Sequence, residues 1–389
     1  MTQAQASDQL VGGTAGEEPK APSPAYRYYV LAILVFVYML NFVDRQIIGI
    51  LAAPLKEEFQ LSDSQFGLLG GIAFASVYST LAIPLAWLAD RSSRVWIMTG
   101  ALTVWSGFTA LCGVAGSFGQ LFLFRMGVGV GEAGGVAPAY SLIADYFPPN
   151  QRARAMAAFA FGIPLGTAGG TLVGGLLAAQ YGWRTAFIVV GVLGVLIAPI
   201  LRLTVRDPKR GGTDAAAAAA STAPAPVQTQ TVADTGLGKK VALVCFGIAG
   251  VFAGLGILSL LGSGVANPVI PFFGAGLMAV IGTSLWIAKA TGSVIMKKKS
   301  FWLLSLGAAS SSVCGYGVAG WLPLFFMRSF DLTLSQVSWY YAGIALIGGL
   351  LGIWMGGAVA DKWPSVPNRP IRWFLRWPSS SRHRASFWR

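Results

Sequence analysis

Long apolar runs separated by short polar joints dominate the chain, and their length fixes what they can be. From Tyr28 to Leu51 nearly every position is apolar, close to the ~20 residues that carry an α-helix across a ~30 Å hydrocarbon core. Similar runs follow at about 65–89, 94–116, 119–143, 152–178 and 184–204. The pattern therefore predicts a bundle of six spanning helices over 28–205. Lys and Arg gather in alternate joints: Arg91 and Arg94, then Arg152 and Arg154, then Arg202, Arg206, Lys209 and Arg210. Such joints face the cytoplasm, which also places the polar, disordered stretch 1–27 there. The first outer joint instead carries Glu57, Glu58 and Asp63 with a single Lys56.

After the sixth run the composition changes. Residues 206–240, with an alanine run and then Ser, Thr, Pro and Gln, cannot bury apolar area and read as a disordered cytoplasmic linker. Two apolar runs at about 241–263 and 269–288, closed by Lys297, Lys298 and Lys299, predict an inserted transmembrane hairpin within 241–299. Runs at about 301–327 and 336–360 make up 300–363.

An internal repeat organises these parts. Phe59, Leu61, Ser62, Ser64 and Gln65 match Phe330, Leu332, Thr333, Ser335 and Gln336, and the same ungapped offset places Asp90-Arg91 on Asp361-Lys362. The second and the last run are thus one element in two parallel copies, as in a carrier of two like halves. Beyond Trp363 the character changes again: 364–389 holds Pro, Ser, Trp and six arginines, with no acidic residue and no further run. The expectation is an altered reading frame or a truncated gene model, with a genuine basic tail as the alternative. The second repeat then lacks counterparts of about four helices.

Composition narrows the function classes. With 54% hydrophobic and 11% charged residues and a mean hydropathy of +0.62, the chain has no pool from which to build a water-facing surface. Fifty glycines suit close helix packing in a bilayer. Cys112, Cys245 and Cys314 all sit in apolar runs, and His383 is the one histidine, so no metal site, disulfide framework or histidine-based catalysis can be drawn. The net charge of +13 collects at span ends and reports orientation, not nucleic acid.

Charge inside the spans is the candidate chemistry. Asp44 and Arg45 lie within the first run, and Arg125 and Glu132 lie seven residues apart in the fourth, on one helical face about 10 Å long. Each costs roughly 2.5–3.5 kcal/mol to insert unpaired, so pairing of Asp44 with Arg125, or of Arg45 with Glu132, is expected. Either Asp44 or Glu132 is a candidate proton carrier, and the alternative is a static clamp. Asp90, Arg91 and Arg94, with Asp361 and Lys362 in the second copy, form a candidate cytoplasmic gating loop. Gly129 and Gly131 in the fourth run, and Gly162, Pro164, Gly166, Gly169 and Gly170 in the fifth, read as helix-packing residues.

These motifs resemble the major facilitator superfamily. Asp90-Arg91-x-x-Arg94 resembles its loop between helices two and three, although Ala86 and Ser93 stand where glycines are usual and Val95 replaces a basic residue. Arg125 to Ala133 resembles its helix-four motif, and Gly182-Trp183-Arg184-Thr-Ala-Phe187 is also typical. The Asp44-Arg45 pair, the Gly129-x-Gly131-Glu132-Ala133 string and Gly315-Tyr316-Gly317 near Trp321-Leu322-Pro323 are most similar to bacterial spinster-like members. The resemblance implies an all-α polytopic fold of two bundles and alternating access. It implies proton coupling through Asp44 and Glu132, an amphipathic or lipid-like substrate, no cofactor beyond a driving proton gradient, and no enzyme activity. A monomer in the bacterial inner membrane is expected. An organic anion and proton cotransporter is the alternative of the same superfamily. A truncated or regulatory membrane protein that transports nothing is the alternative of another class.

Overall fold

The computed structural model describes residues 23–208, 210–211 and 299–362, with isolated positions 275, 278 and 282. The hairpin expected at 241–288, nearly all of the linker and the tail 364–389 lie outside the described residues. Helix α1 spans Pro24–Ile50; Ser23 caps it by accepting from the Tyr26 amide, and Pro24 fills the first turn, where an amide would lack a partner. Helix α2, Ala52–Phe59, stops at Gln60 in a left-handed conformation (φ 50). Ser62 and Gln65 then close a reciprocal capping box on α3, Asp63–Gly67.

The run expected at 65–89 is not one helix. A π-helical turn over Leu68–Ile72 separates α3 from α4, Ala73–Ala89, at Gly70 and Gly71, where helical preference is weakest. Ser93 caps α5, Arg94–Cys112, and Ser117 caps α6, Phe118–Glu132. The run expected at 119–143 also breaks: α6 stops at Glu132, and α7 starts afresh as Val136–Tyr146. Helix α8, Pro149–Ala160, and α9, Gly162–Tyr181, follow, then α10, Trp183–Thr204, entered through Gly182 at φ 85. Helices α11, Lys299–Phe330, and α12, Leu334–Lys362, complete the described residues. Six segments among them are long and apolar enough to cross a membrane: α1, α5, α8 with α9, α10, α11 and the first part of α12.

The internal repeat is visible in the backbone. Thr333 and Gln336 build at the start of α12 the contact that Ser62 and Gln65 build at α3, and Asp331 (φ 51) is left-handed as Gln60 is. Short polar residues at one register thus turn the chain identically in both halves.

Small residues set the packing of α9. Gly162, Gly166, Gly170 and Gly174, four residues apart, all face α1. A Cβ at Gly170 would stand 2.6 Å from the Val43 carbonyl oxygen, and one at Gly166 would overlap that of Met39. Backbones this close gain dispersion contacts that lipid cannot match. Gly169, one position off the stripe, would meet only Val43 Cγ2 at 3.7 Å, an ordinary contact. Gly131 abuts the backbone of Trp105 on α5, Gly129 abuts Phe74 on α4, and Pro164 touches Gly349 on α12.

Two apolar cores result. One, around Ile47, Leu51, Leu55, Phe66, Phe122 and Phe187, also takes in Leu324 and Val337 from the second half. The other, around Leu34, Trp105, Leu142, Tyr146 and Phe159, is built from α1, α5, α6, α7, α8 and α10, all of the first half. The halves therefore share the first of these cores, at the end that carries Leu55 and Phe66.

Candidate functional site

Two buried ion pairs cross between α1 and α6. Arg45 Nε donates to Glu132 Oε2 at 2.7 Å, and Arg125 Nη1 lies 3.4 Å from Asp44 Oδ1. Asp44 and Arg125 are each 1% exposed and Glu132 is 0% exposed, so none of the three can turn to water. The guanidinium of Arg45 sits over the rings of Phe42, Phe74 and Tyr78 at 5.2, 5.1 and 4.8 Å, a cage that stabilises the cation where water cannot. Its Nη1 donates to the Tyr316 hydroxyl of α11 at 3.0 Å. One side chain of the first half thus bonds to the second.

Sequence reasoning placed Asp44, Arg45, Arg125 and Glu132 in one cluster and left their pairing open; the structure brings all four together in the antiparallel register of α1 and α6. It adds Thr109, whose hydroxyl reaches Asp44 Oδ2 and also the Trp105 carbonyl oxygen at 2.9 Å. That hydroxyl has one hydrogen, so it serves one acceptor at a time. Thr109 and Tyr78 gave no signal in the sequence, because a hydroxyl in an apolar run gives none until its neighbour is known, and Tyr316 entered only through the Gly315-Tyr316-Gly317 resemblance, without a role. Arg45 Nη2, Arg125 Nε and Glu132 Oε1 are buried without a hydrogen-bond partner.

The two arginines of the candidate gating loop take different partners. Arg91 lies on the Trp87 ring, 4.0 Å from its centroid, and donates to the Trp87 carbonyl. Arg94 is 1% exposed and is not a loop charge. It pairs with Asp145 at the end of α7 and with Asp207 beyond α10, and it donates to the Pro208 carbonyl at 2.8 Å. Arg210 in turn donates to the carbonyls of Ala89 and Ser92, both at 2.6 Å. The start of the linker is thereby tied under the α4–α5 joint. Asp361 and Lys362 fall in the last turn of α12.

A third cluster lies at the end of the molecule away from the N-terminus of α1. Asp63 bonds to Lys56 and, at 3.3 Å, to Arg328 of α11, while the rings of Phe66 and Trp321 meet edge to face at 5.5 Å. Lys56 first, then Arg328, hold the Asp63 carboxyl below its ordinary range. Glu58 accepts from Trp183 Nε1 at 2.6 Å and pairs with Arg184 at 2.6 Å. Hydrogen bonds from Arg184 first, then Trp183, likewise lower its carboxyl.

Apolar helices of spanning length around a buried charge cluster define a polytopic helical membrane protein. The Major Facilitator Superfamily model matches residues 34–376, and the chain belongs to that family. Relatives include an MFS-type efflux pump of Mycolicibacterium smegmatis, 30% identical over 90% of this chain and 66% of the pump. Protein spinster of Drosophila melanogaster is 33% identical over 49% of this chain and 31% of its own length. Protein spinster homolog 1 of Homo sapiens is 34% identical over 49% of this chain and 37% of its own. The chain thus spans from under a third to about two thirds of these relatives. Among solved structures, an inward-facing, unoccupied bacterial homologue of the human lysosomal transporter spinster aligns with TM-score 0.60 and 32% identity, covering 90% of this chain and 65% of that one.

Proposed function

We propose that this chain is a secondary active transporter that works by alternating access, is driven by protons and moves a small amphipathic or lipid-like molecule. The observation that carries this is Arg45, whose one guanidinium joins Glu132 of the first half to Tyr316 of the second. While Glu132 is ionised it holds Arg45 by a charge-assisted bond inside an apolar wall. A proton on Glu132 removes that attraction, and the caged cation is then free to exchange its contact with Tyr316. Ion state and the fit of α1 against α11 are in this way one equilibrium. Asp44, held by Arg125 and Thr109, is the second carboxylate able to take a proton.

The outer contacts of Asp63 with Arg328 and of Phe66 with Trp321 support a state closed outside and open inside. Arg91, Arg94, Arg152, Arg154 and Arg206 gather at the other end, which supports a cytoplasmic N-terminus in a bacterial inner membrane. The chain works as a monomer. Phe42, Phe74, Tyr78 and Tyr316 beside a cation suit a molecule with an apolar body and a polar or anionic end. Proteoliposomes holding the full chain, loaded in turn with lysolipids and with organic acids under a pH gradient, test this. Gradient-driven flux of a lysolipid supports the reading. Flux of organic acids alone would replace the substrate class, and no flux from folded chain would sink the transporter reading.

A further inference from the structure

Asn41 lies one turn before Arg45 on α1 and is 2% exposed. Residues so spaced share a helix face, and both side chains turn to the same carboxyl group. Arg45 Nε bonds to Glu132 Oε2, and the Asn41 amide lies within hydrogen-bonding reach of the Glu132 side chain. The two contacts differ. The Arg45 bond is closed at 2.7 Å, whereas Asn41 Nδ2, Asn41 Oδ1 and Glu132 Oε1 are all buried and none makes a full hydrogen bond in this state. An amide buried with both ends unmet is costly, which points to a bond made in another state of the same cluster.

Protonation of Glu132 supplies that state. An ionised carboxylate only accepts and a guanidinium only donates, so Arg45 and Arg125 suit Glu132 while it is charged. A protonated carboxyl carries an O–H that needs an acceptor, and neither arginine offers one. The groups facing Glu132 are Arg45, Asp44 and Asn41 of α1 and Arg125 of α6. Helices α4 and α11 bring Tyr78 and Tyr316 against Arg45, and α5 abuts Gly131 through Trp105. Asp44 is already held by Arg125 and the Thr109 hydroxyl. Water is a poor substitute: the cavity beside Asn41 measures about 10 Å³, at the lower limit for one molecule, and its wall is built of apolar and aromatic side chains such as Leu34, Val37, Trp105 and Phe159. Asn41 Oδ1 is the neutral acceptor that remains.

We propose that Asn41 is a positioning residue for the proton carrier: its Oδ1 accepts the hydrogen of protonated Glu132 and holds the proton on that carboxyl while Arg45 exchanges its contact with Tyr316. This rests on Glu132 as the proton carrier. A proton arrives on Glu132, the charge-assisted bond from Arg45 Nε loosens, and one neutral O–H···O bond to Asn41 takes its place. The proton is the sole species gained, and it leaves when Arg45 returns to the carboxylate. Asn41 thus acts through Glu132, and the amide suits that task because it adds no charge of its own to a cluster that already holds four.

The test is an infrared pH titration of the full chain in nanodiscs, following the carboxyl band that Glu132→Gln removes. Asn41→Leu keeps the bulk and removes the amide. Its midpoint is expected to move down by about one pH unit, a tenfold loss of proton affinity on the scale of one hydrogen bond. Asn41→Ala, which burdens the packing differently, is expected to shift it the same way, and Asn41→Gln, which keeps an amide, to recover at least half. A midpoint that stays in place in both Asn41→Leu and Asn41→Ala, whatever happens to the melting temperature, overturns the proposal and leaves the carrier reading standing. A midpoint that moves up overturns it as well, because the amide would then serve the ionised carboxylate as a donor. If Glu132→Gln removes no titrating band, the carrier reading fails and the proposal falls with it.

Discussion

Arg45 Nε stands 2.7 Å from Glu132 Oε2, a charge pair closed inside the bundle with a carboxylate that has no exposed surface. Removing one partner of such a pair strands the other. Arg45→Ala is expected to destabilise the chain by about 3–5 kcal/mol, and Arg45→Ala with Glu132→Gln to recover more than half of that. Denaturant unfolding in detergent reads both; strictly additive losses would show that the pair is not coupled.

Arg94 makes a second prediction, because its contacts are those of a clamp. Arg94→Ala leaves Asp145 and Asp207 without their shared cation and is expected to cost about 3–5 kcal/mol. Arg94→Lys is expected to recover little, since a point ammonium cannot reach two carboxylates and a carbonyl with a fork. Arg91→Ala, at an exposed ring, is expected to stay within about 0.5 kcal/mol. Thermal melts of the three variants decide; equal effects at 91 and 94 would restore the simple loop reading.

The glycine stripe predicts a contrast between adjacent positions. Gly170→Ala drives a methyl into the Val43 carbonyl and is expected to cost about 1–3 kcal/mol, whereas Gly169→Ala meets an ordinary contact and is expected to be near neutral. Melting temperatures that fall equally for both would mean that α1 and α9 do not meet as described.

Asp63 is held below the ordinary carboxylate range by Lys56 and Arg328. A lowered value in the folded chain means that the contact contributes above about pH 4, the usual aspartate region, and is lost as pH falls through the lowered value. Spin-label distances between the outer ends of α1 and α11 are expected to lengthen at strongly acid pH in the wild type, and already at neutral pH in Asp63→Asn. The pair is exposed and screened by salt, so the Phe66 and Trp321 contact limits the change. A distance insensitive to both would place the closure elsewhere.

Much of the fold was legible because bilayer thickness translates run length into spans, and because Ser62 and Gln65 repeat as Thr333 and Gln336. The two helix breaks were not legible. Apolar length alone cannot distinguish a straight helix from one that widens at Gly70 and Gly71 or restarts after Glu132. Buried charge announced Asp44, Arg45, Arg125 and Glu132 as a cluster, since ions in an apolar run need one another. Arg94 was legible as part of a candidate gating loop, but its partners Asp145 and Asp207 were not, since only the fold brings them to it. Tyr316 became part of the site for the same reason.

The central claim is that the proton state of Glu132 governs transport, and it is tested most directly by separating accumulation from exchange in proteoliposomes. Glu132→Gln is expected to abolish pH-gradient-driven accumulation of substrate while substrate-for-substrate exchange across the same membrane survives. Accumulation that persists in Glu132→Gln at the wild-type rate would contradict the account.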